Sequence, residues 1–567
     1  LSSNGTVKIA LAAPAATHWL GQTDSNWSAA NWASNAAGNA ITATPTIADD
    51  ITFSATGAAN QTNTVLDVDT AIKSLTVSST AGISGNNTLT INEVTKVSAG
   101  TLTLAGGVKI VGNRGLAIED GTLTVTGNGT RATFASVINV GYINAGTGTL
   151  NVTAGGQVST DRFIPVGNKG VGIVNVDGAG SKLTSAYELV LGYFATTDSG
   201  TLNITNGGVV KVSSYGTYIG SAGIGSATVD GADSALNVDG EIILASRSGA
   251  NGTLNIQNGG LVSVGNGTGT LTLGAQSGST ATLYIGSPIT SGATGTLQAA
   301  EVHGGSGTAI LNFNHNQSSY KFDPKITGST AVNQNGPGRT VIAAVNTYTG
   351  PTSINAGVVQ TENASALGTG AVTINGGALR AIGQLNVSDL TWNAGTIGLA
   401  PLAGDVINVA GAFTSGVGGG LFALASQGMM ANQAYTLVNF NSSNFNLNQF
   451  SVIWNEPGVQ FSSSFLLNPG SVQIIITGAT ASGAFLDNIK DIPVFADFTT
   501  IGTVVSGLTG SGLQELRTFV QNLFVPNSSL IVPTPNILTV TGFMNMANSS
   551  LTVNGRLNVL GNFTDPN

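Results

Sequence analysis

The chain has 567 residues, of which 79 are glycine and only 8% are charged, with a net charge of −9 and no cysteine. Without disulfides, stability must come from backbone ladders and packed side chains, and thiolate catalysis and cysteine-based zinc sites are excluded. The acidic charge is thinly spread and no basic run is present, which argues against nucleic acid as a partner. No apolar stretch is long enough to span a membrane as a helix.

In chain order, the first residue is Leu1 rather than Met, which suggests a processed mature form. Val7–Ala16 (VKIALAAPAA) has a faint signal-peptide character. It reads as a strand, so residues 1–16 are taken as an N-terminal strand and 17–100 as an N-terminal β cap with the first coils. From 101 to 480 internal similarity dominates. Gly148–Gly156 (GTLNVTAGG), Gly200–Gly208 (GTLNITNGG) and Gly252–Gly260 (GTLNIQNGG) start 52 residues apart. A second motif, Val166–Leu183 and Ile219–Leu236, interleaves at a spacing of 53, so the underlying unit is about 26 residues. Gly121–Gly129 (GTLTVTGNG) lies 27 residues before Gly148 and fits that unit. Leu202 and Ile204 alternate with Thr201 and Asn203 in the period of a strand, and Gly-Gly and Asp-Gly punctuate the turns.

A unit of this size with two or three short strands is one coil of an all-β, parallel β-helix. It is preferred over an array of ~52-residue β-sandwich modules, which would be too small for cores of their own. Equivalent Leu and Ile residues stack into one core, and Asn151, Asn203 and Asn255 are placed to form an amide ladder. About fifteen coils at ~4.8 Å each would make a rod on the order of 70 Å.

Asn346–Arg380 (NTYTGPTSINAGVVQTENASALGTGAVTINGGALR) contains a Tyr-Thr-Gly turn, a short strand, an Ala-Gly turn, an Ala-Leu-Gly-Thr-Gly segment and a closing strand. This stretch resembles the autotransporter-associated β-strand repeat, with Pro351 where a second glycine is frequent. The Trp-rich head (Trp19–Phe53) and Tyr435–Ile476 are similar to the opening and closing regions of secreted proteins that carry such repeats. The resemblance implies a secreted right-handed β-helix at the surface of a Gram-negative-type bacterium, without catalytic residues. No translocator barrel is legible, which leaves a cleaved passenger or another export route.

After Ile476 the character changes, and 481–535 reads as a cap and linker. Leu513, Leu516, Phe519, Val520 and Leu523 share one helical face, so a helix is expected over 511–524, ending before Pro526. Residues 536–567 return to strands as about one detached coil. A lone coil is not stable by itself. Val7, Ile9, Leu11, Leu538, Val540, Leu551, Val553, Leu557 and Val559 are therefore the candidate self-assembly residues.

Site chemistry is sparse. Asp230, Asp233, Asp239 and Glu241 form the densest acidic cluster, a weak calcium candidate with oxygen ligands. Asp177 and Asp230 occupy equivalent Val-Asp-Gly turns, where bonding to backbone amides explains them. Asp67 with Asp69 reads as a solvated face, and Asp49 and Asp50 point opposite ways. Of three histidines (His18, His303, His315), only His303 has a carboxylate, Glu301, two residues away. Trp27 and Trp32 are read as cap packing before sugar platforms. The leading expectation is a non-enzymatic extracellular structural subunit that polymerises head to tail with itself. A monomeric adhesin passenger contacting surface glycans or other cells is the alternative, and a β-helix polysaccharide lyase or hydrolase a second one.

Overall fold

The computed structural model describes residues 16–480, except 36, 38–43, 55–57, 417–418, 426–428 and 455–459, and a set of strands between 517 and 564. It divides into two units, residues 1–287 with 293–310, and residues 288–292 with 311–567. Both are parallel β-solenoids. Among the described residues no helix is long and apolar enough to cross a membrane.

In the first unit each coil supplies three strands, one to each of three parallel ladders. The first ladder includes Ile138–Val140, Ile164–Val166, Glu188–Leu191, Gly216–Ile219, Glu241–Leu244 and Thr270–Leu273. The second includes Thr147–Thr153, Val171–Asp177, Ser199–Thr205, Ile224–Asp230, Asn251–Gln257 and Thr280–Gly286. The third is a sheet of ten strands running from Thr70–Ile72 to Thr296–Gln298. Leu150, Val174, Leu202, Ala227, Leu254 and Leu283 stack in one register column and are all fully buried. Burying each Leu contributes about 2 kcal/mol. The unit of about 26 residues is therefore one coil, and the 52-residue repeat spans two.

That doubling explains a detail of the amide ladder. Asn151 and Asn203 are two coils apart, and Asn175 stands between them. Asn175 Nδ2 donates to Asn151 Oδ1 (2.8 Å) and Asn203 Nδ2 donates to Asn175 Oδ1 (2.8 Å). The next coil carries Thr228, so Asn255 is separated from Asn203 and donates to Thr228 Oγ1 instead (3.2 Å). The glycines that open the repeated motif are not turn residues. Gly148, Gly172, Gly200, Gly225 and Gly252 lie in register within the second ladder. There the backbone passes close to the end of the first ladder, and a Cβ on Gly225 would sit 1.9 Å from the Gly220 nitrogen.

At the start, Ala16–Trp19 pairs antiparallel with Trp32–Ala33 and parallel with Asp50–Phe53. Trp19, Trp27 and Trp32 pack edge to face at 4.9 and 5.0 Å, with Phe53 beside them, and all four are buried. The indole N–H of Trp27 donates to Thr64 Oγ1 and that of Trp32 to the Trp27 carbonyl. These rings are cap packing and offer no face to a sugar.

The second unit has shorter coils. Thr352–Ile354, the start of Val372–Ala381 and the start of Leu390–Leu399 stack in register 20 and 18 residues apart. Asn335, Asn355, Asn375 and Asn393 form an amide ladder with spacings of 2.7–2.8 Å. Tyr348 of the Tyr-Thr-Gly turn is fully buried with its hydroxyl bonded to Thr352 Oγ1 (2.7 Å). The run of parallel coils is interrupted where Ala434–Ser443 pairs antiparallel with Ser471–Thr480, itself in a hairpin with Gln460–Asn468. Tyr435–Ile476, the stretch similar to a closing region, spans these antiparallel strands.

The helix expected over 511–524 is not formed where that segment is described. Arg517–Val520 and Leu523–Phe524 are strands, while 511–516 and 521–522 lie outside the described residues. Arg517–Val520 pairs with Ile537–Val540, which pairs with Arg556–Val559, all parallel. Ser529–Val532 pairs with Ser550–Val553, and Leu523–Phe524 with Met544–Asn545 and then Phe563–Thr564. The helical spacing of apolar residues loses to a ladder of like strands about every 20 residues, a tertiary override of local preference. The single detached coil expected over 536–567 is the later part of this three-rung stack. Ile531 and Val532, expected in a linker, are in one of its strands.

Candidate functional site: a tyrosine-lined face of the first unit

The acids singled out above are engaged in holding coils together. Asp177 accepts from Thr205 Oγ1 and Asn206 Nδ2, both at 2.6 Å, and Asp230 accepts from Gln257 Nε2 (3.0 Å) and Asn258 Nδ2 (2.7 Å). Their donors come from the next coil rather than from turn amides. Asp239 is paired with Lys211 (3.0 Å), Asp233 sits in a turn at φ 65°, and Glu241 opens a strand with its side chain exposed. Among the described residues no three His, Asp or Glu side chains are grouped to hold a metal ion. Asp67 accepts from the Ser28 backbone and hydroxyl, and Asp69 from the Thr88 amide. Burial pushes the Asp67 carboxyl up, but the Ser28 bonds outweigh it and hold it low. Asp50 pairs with Lys73 (2.9 Å), and Asp49 bonds Thr46. Glu301 and His303 stand 3.9 Å apart on a partly exposed strand face. His18 is in the N-terminal cap, with burial holding its pKa low, and His315 is fully buried in the second unit. Val7, Ile9 and Leu11 lie outside the described residues. Leu538 and Val540, Leu551 and Val553, and Leu557 and Val559 belong to the stacked strands Ile537–Val540, Ser550–Val553 and Arg556–Val559.

The feature that stands out is the outer face of the first ladder. Leu189, Leu191, Thr217, Ile219, Ile242 and Leu244 point inward and are buried. Strand alternation therefore turns Glu188, Val190, Gly216, Tyr218, Glu241 and Ile243 outward. Register makes two columns of them, Glu188–Gly216–Glu241 and Val190–Tyr218–Ile243. The corner preceding each strand adds a third column, in which Arg162, Tyr187 and Tyr215 follow one another. The Arg162 guanidinium lies over the Tyr187 ring at 5.6 Å, and the Tyr187 and Tyr215 rings stack at 5.4 Å and 19°. The corner after the strands carries Tyr142, Tyr193 and Phe194, with Lys169 over the Tyr142 ring at 5.1 Å and Phe163 6.1 Å from Tyr193. Tyr215 is 63% exposed, Phe194 64%, and Tyr142 and Tyr187 39% each. Val190 points outward yet is only 2% exposed, because the surrounding side chains roof it over.

Burial raises the Tyr218 hydroxyl pKa, and the Glu188 and Glu241 carboxylates raise it further, so it stays a neutral donor. Rings with polar tips beside flanking charges are a composition enriched at contact surfaces. The sequence carries a signal for this face in its tyrosine distribution rather than in any motif. Five of the nine tyrosines fall between Tyr142 and Tyr218.

No family model matches the chain, and no solved structure matches it. A stretch of 114 residues, 19% of the chain, is 37% identical to 3% of the adhesin BmaC autotransporter of Brucella suis biovar 1 (strain 1330). A stretch of 222 residues, 36% of the chain, is 32% identical to 16% of the uncharacterized lipoprotein YdeK of Escherichia coli (strain K12). The chain thus spans a small part of the length of either relative. Partial similarity to an autotransporter adhesin and the parallel β-solenoid agree with the resemblance carried by Asn346–Arg380.

Proposed function

We propose that this chain is a non-enzymatic, adhesin-type β-helical passenger displayed at the surface of a Gram-negative-type bacterium. Its working surface is the tyrosine-lined face of the first unit. The observation that carries this reading is the alignment of exposed aromatic rings across successive coils, where a soluble β-solenoid would otherwise present polar side chains. The similarity to an adhesin supports it. So does the engagement of Asp177, Asp230 and Asp239 in coil-to-coil bonds, which withdraws them from acid–base chemistry. With the chain displayed on a non-adherent bacterium, Tyr187→Ser with Tyr215→Ser is expected to reduce attachment to epithelial cells at least fivefold, with unchanged display and an unchanged circular dichroism melt. Attachment equal to that of the native chain would remove this face from the proposal.

Self-association is a second reading, favoured by one observation. Among the described residues, Arg556–Val559 and Phe563–Thr564 are the last strands of their sheets, each paired on one side only. An open strand edge is a site for strand addition, and a head-to-tail contact that does not close yields a filament. Electron microscopy of purified protein is expected to show filaments that vanish on deletion of residues 537–567. Discrete short particles from the native chain, or filaments that survive the deletion, would reject this route.

A further inference from the structure

The three outward columns create a notch at one position. Continuing the strand register, the column Arg162–Tyr187–Tyr215 is followed by Gly240, so the stack is capped by a guanidinium at one end and open at the other. In the neighbouring column Gly216 lies between Glu188 and Glu241. Gly216 has φ +145°, and a Cβ there would sit 2.4 Å from the Glu241 carbonyl oxygen, so this floor cannot carry a side chain. Tyr215 and Tyr218 stand on either side of Gly216 in sequence. Among the described residues neither Glu188 nor Glu241 takes part in an ion pair, whereas the nearby Asp239 is held by Lys211.

We infer that this notch binds the guanidinium of an arginine presented by a partner protein. The level of Gly216 is one coil spacing, ~4.8 Å, from the level of each glutamate, so a single planar cation there reaches both carboxylates. A guanidinium satisfies both demands of the site, since its face stacks on a tyrosine ring while its N–H groups fork toward carboxylates. The chain already displays the first half of this arrangement, because Arg162 lies over Tyr187 one coil away. An ammonium lacks the planar face, and a neutral sugar leaves the two carboxylates uncompensated. Arginine paired with tyrosine at the centre of a contact is also the composition in which binding energy concentrates.

The inference rests on the reading of this face as a contact surface, and it is tested without cells. A fluorescein-labelled Gly-Ser peptide carrying three arginines is titrated with the purified full chain, alongside the same peptide with citrulline, the neutral isostere, in place of arginine. The arginine peptide is expected to bind at least tenfold more tightly than the citrulline peptide. Tyr215→Ala and the double variant Glu188→Gln/Glu241→Gln are each expected to weaken it at least tenfold. Tyr215→Phe, which keeps the ring, and Glu93→Gln, a distant exposed acid, are expected to bind like the native chain. Equal binding of the two peptides, or an equal loss in Glu93→Gln, would show only a diffuse response to net charge and overturn the assignment. Attachment lost in the tyrosine variants without arginine-selective binding by the native chain would also overturn it, while leaving the contact surface standing.

Discussion

Trp392→Ala is expected to destabilise the aromatic cluster of the second unit around the antiparallel hairpin by about 4 kcal/mol, the usual cost of removing a large buried aromatic side chain. Trp392 is fully buried where the parallel ladders give way to the antiparallel hairpin. Its ring stacks on Phe450 at 5.2 Å and meets Phe422 edge-on at 4.9 Å. Phe413 lies parallel to it at 6.4 Å, and Phe445 and Phe465 extend the cluster through Phe413 and Phe422. The ring also covers the backbone of Gly420, where a Cβ would sit 2.4 Å from it. Collapse into the vacated space is therefore opposed by several strands that are already paired. A solenoid is held together by neighbour-to-neighbour interfaces, so the loss should be local rather than global. Amide hydrogen exchange should rise in residues 390–454 and stay unchanged in the first unit, and Trp392→Phe should recover most of the protection. Exchange that rises evenly along the chain, or not at all, would show that the cluster does not hold this part of the unit together.

The coil was legible in the sequence because its determinants are periodic. Leu202 and Ile204 mark a strand face, and the recurrence of GTLN at 52 residues announces a repeat. The coil contacts between those recurrences were harder to see, because intervening coils use different side chains. Asn175 completes a ladder that the motif alone left with a gap, and Thr228 breaks it two coils later. The segment 511–524 misled for a related reason. Its apolar spacing fits a helix, but Arg517–Val520 has a like strand 20 residues further on that pairs with it, and that strand pairs in turn with one 39 residues on. The tyrosine-lined face is encoded by no local motif. Tyr187 and Tyr215 are 28 residues apart and become neighbours only when the coil length is known, while Gly216 means a notch only once Glu188 and Glu241 are placed on either side.

Lowering the pH from 7 to 4 is expected to remove roughly 3 kcal/mol of stability from the second unit through His315 alone. The side chain is fully buried, and burial pushes its pKa down to about 4 from an ordinary 6.5. Its bonds define one tautomer. Nδ1 accepts from the Gln317 amide at 3.3 Å, so Nε2 carries the proton and donates to Thr340 Oγ1 at 2.9 Å. The Thr340 hydroxyl then donates to Gln334 Oε1 (2.6 Å), and Gln334 Nε2 donates to the carbonyls of Gly336 and Gly338. Protonating Nδ1 would set two donors against each other, in a site closed by Gly338 and by the Tyr320 ring at 5.4 Å. Above pH 6.5 the imidazole is neutral folded or unfolded, and the full stability is present. As the pH falls through 6.5 the unfolded chain takes a proton that the folded chain refuses, so stability declines until the folded value near 4 is reached. His315→Gln cannot titrate and should be less stable at pH 7, with a melting temperature that changes less between pH 7 and 4 than the native chain's. Parallel pH profiles for the two proteins would mean that His315 contributes nothing to acid sensitivity and that the carboxylates account for all of it.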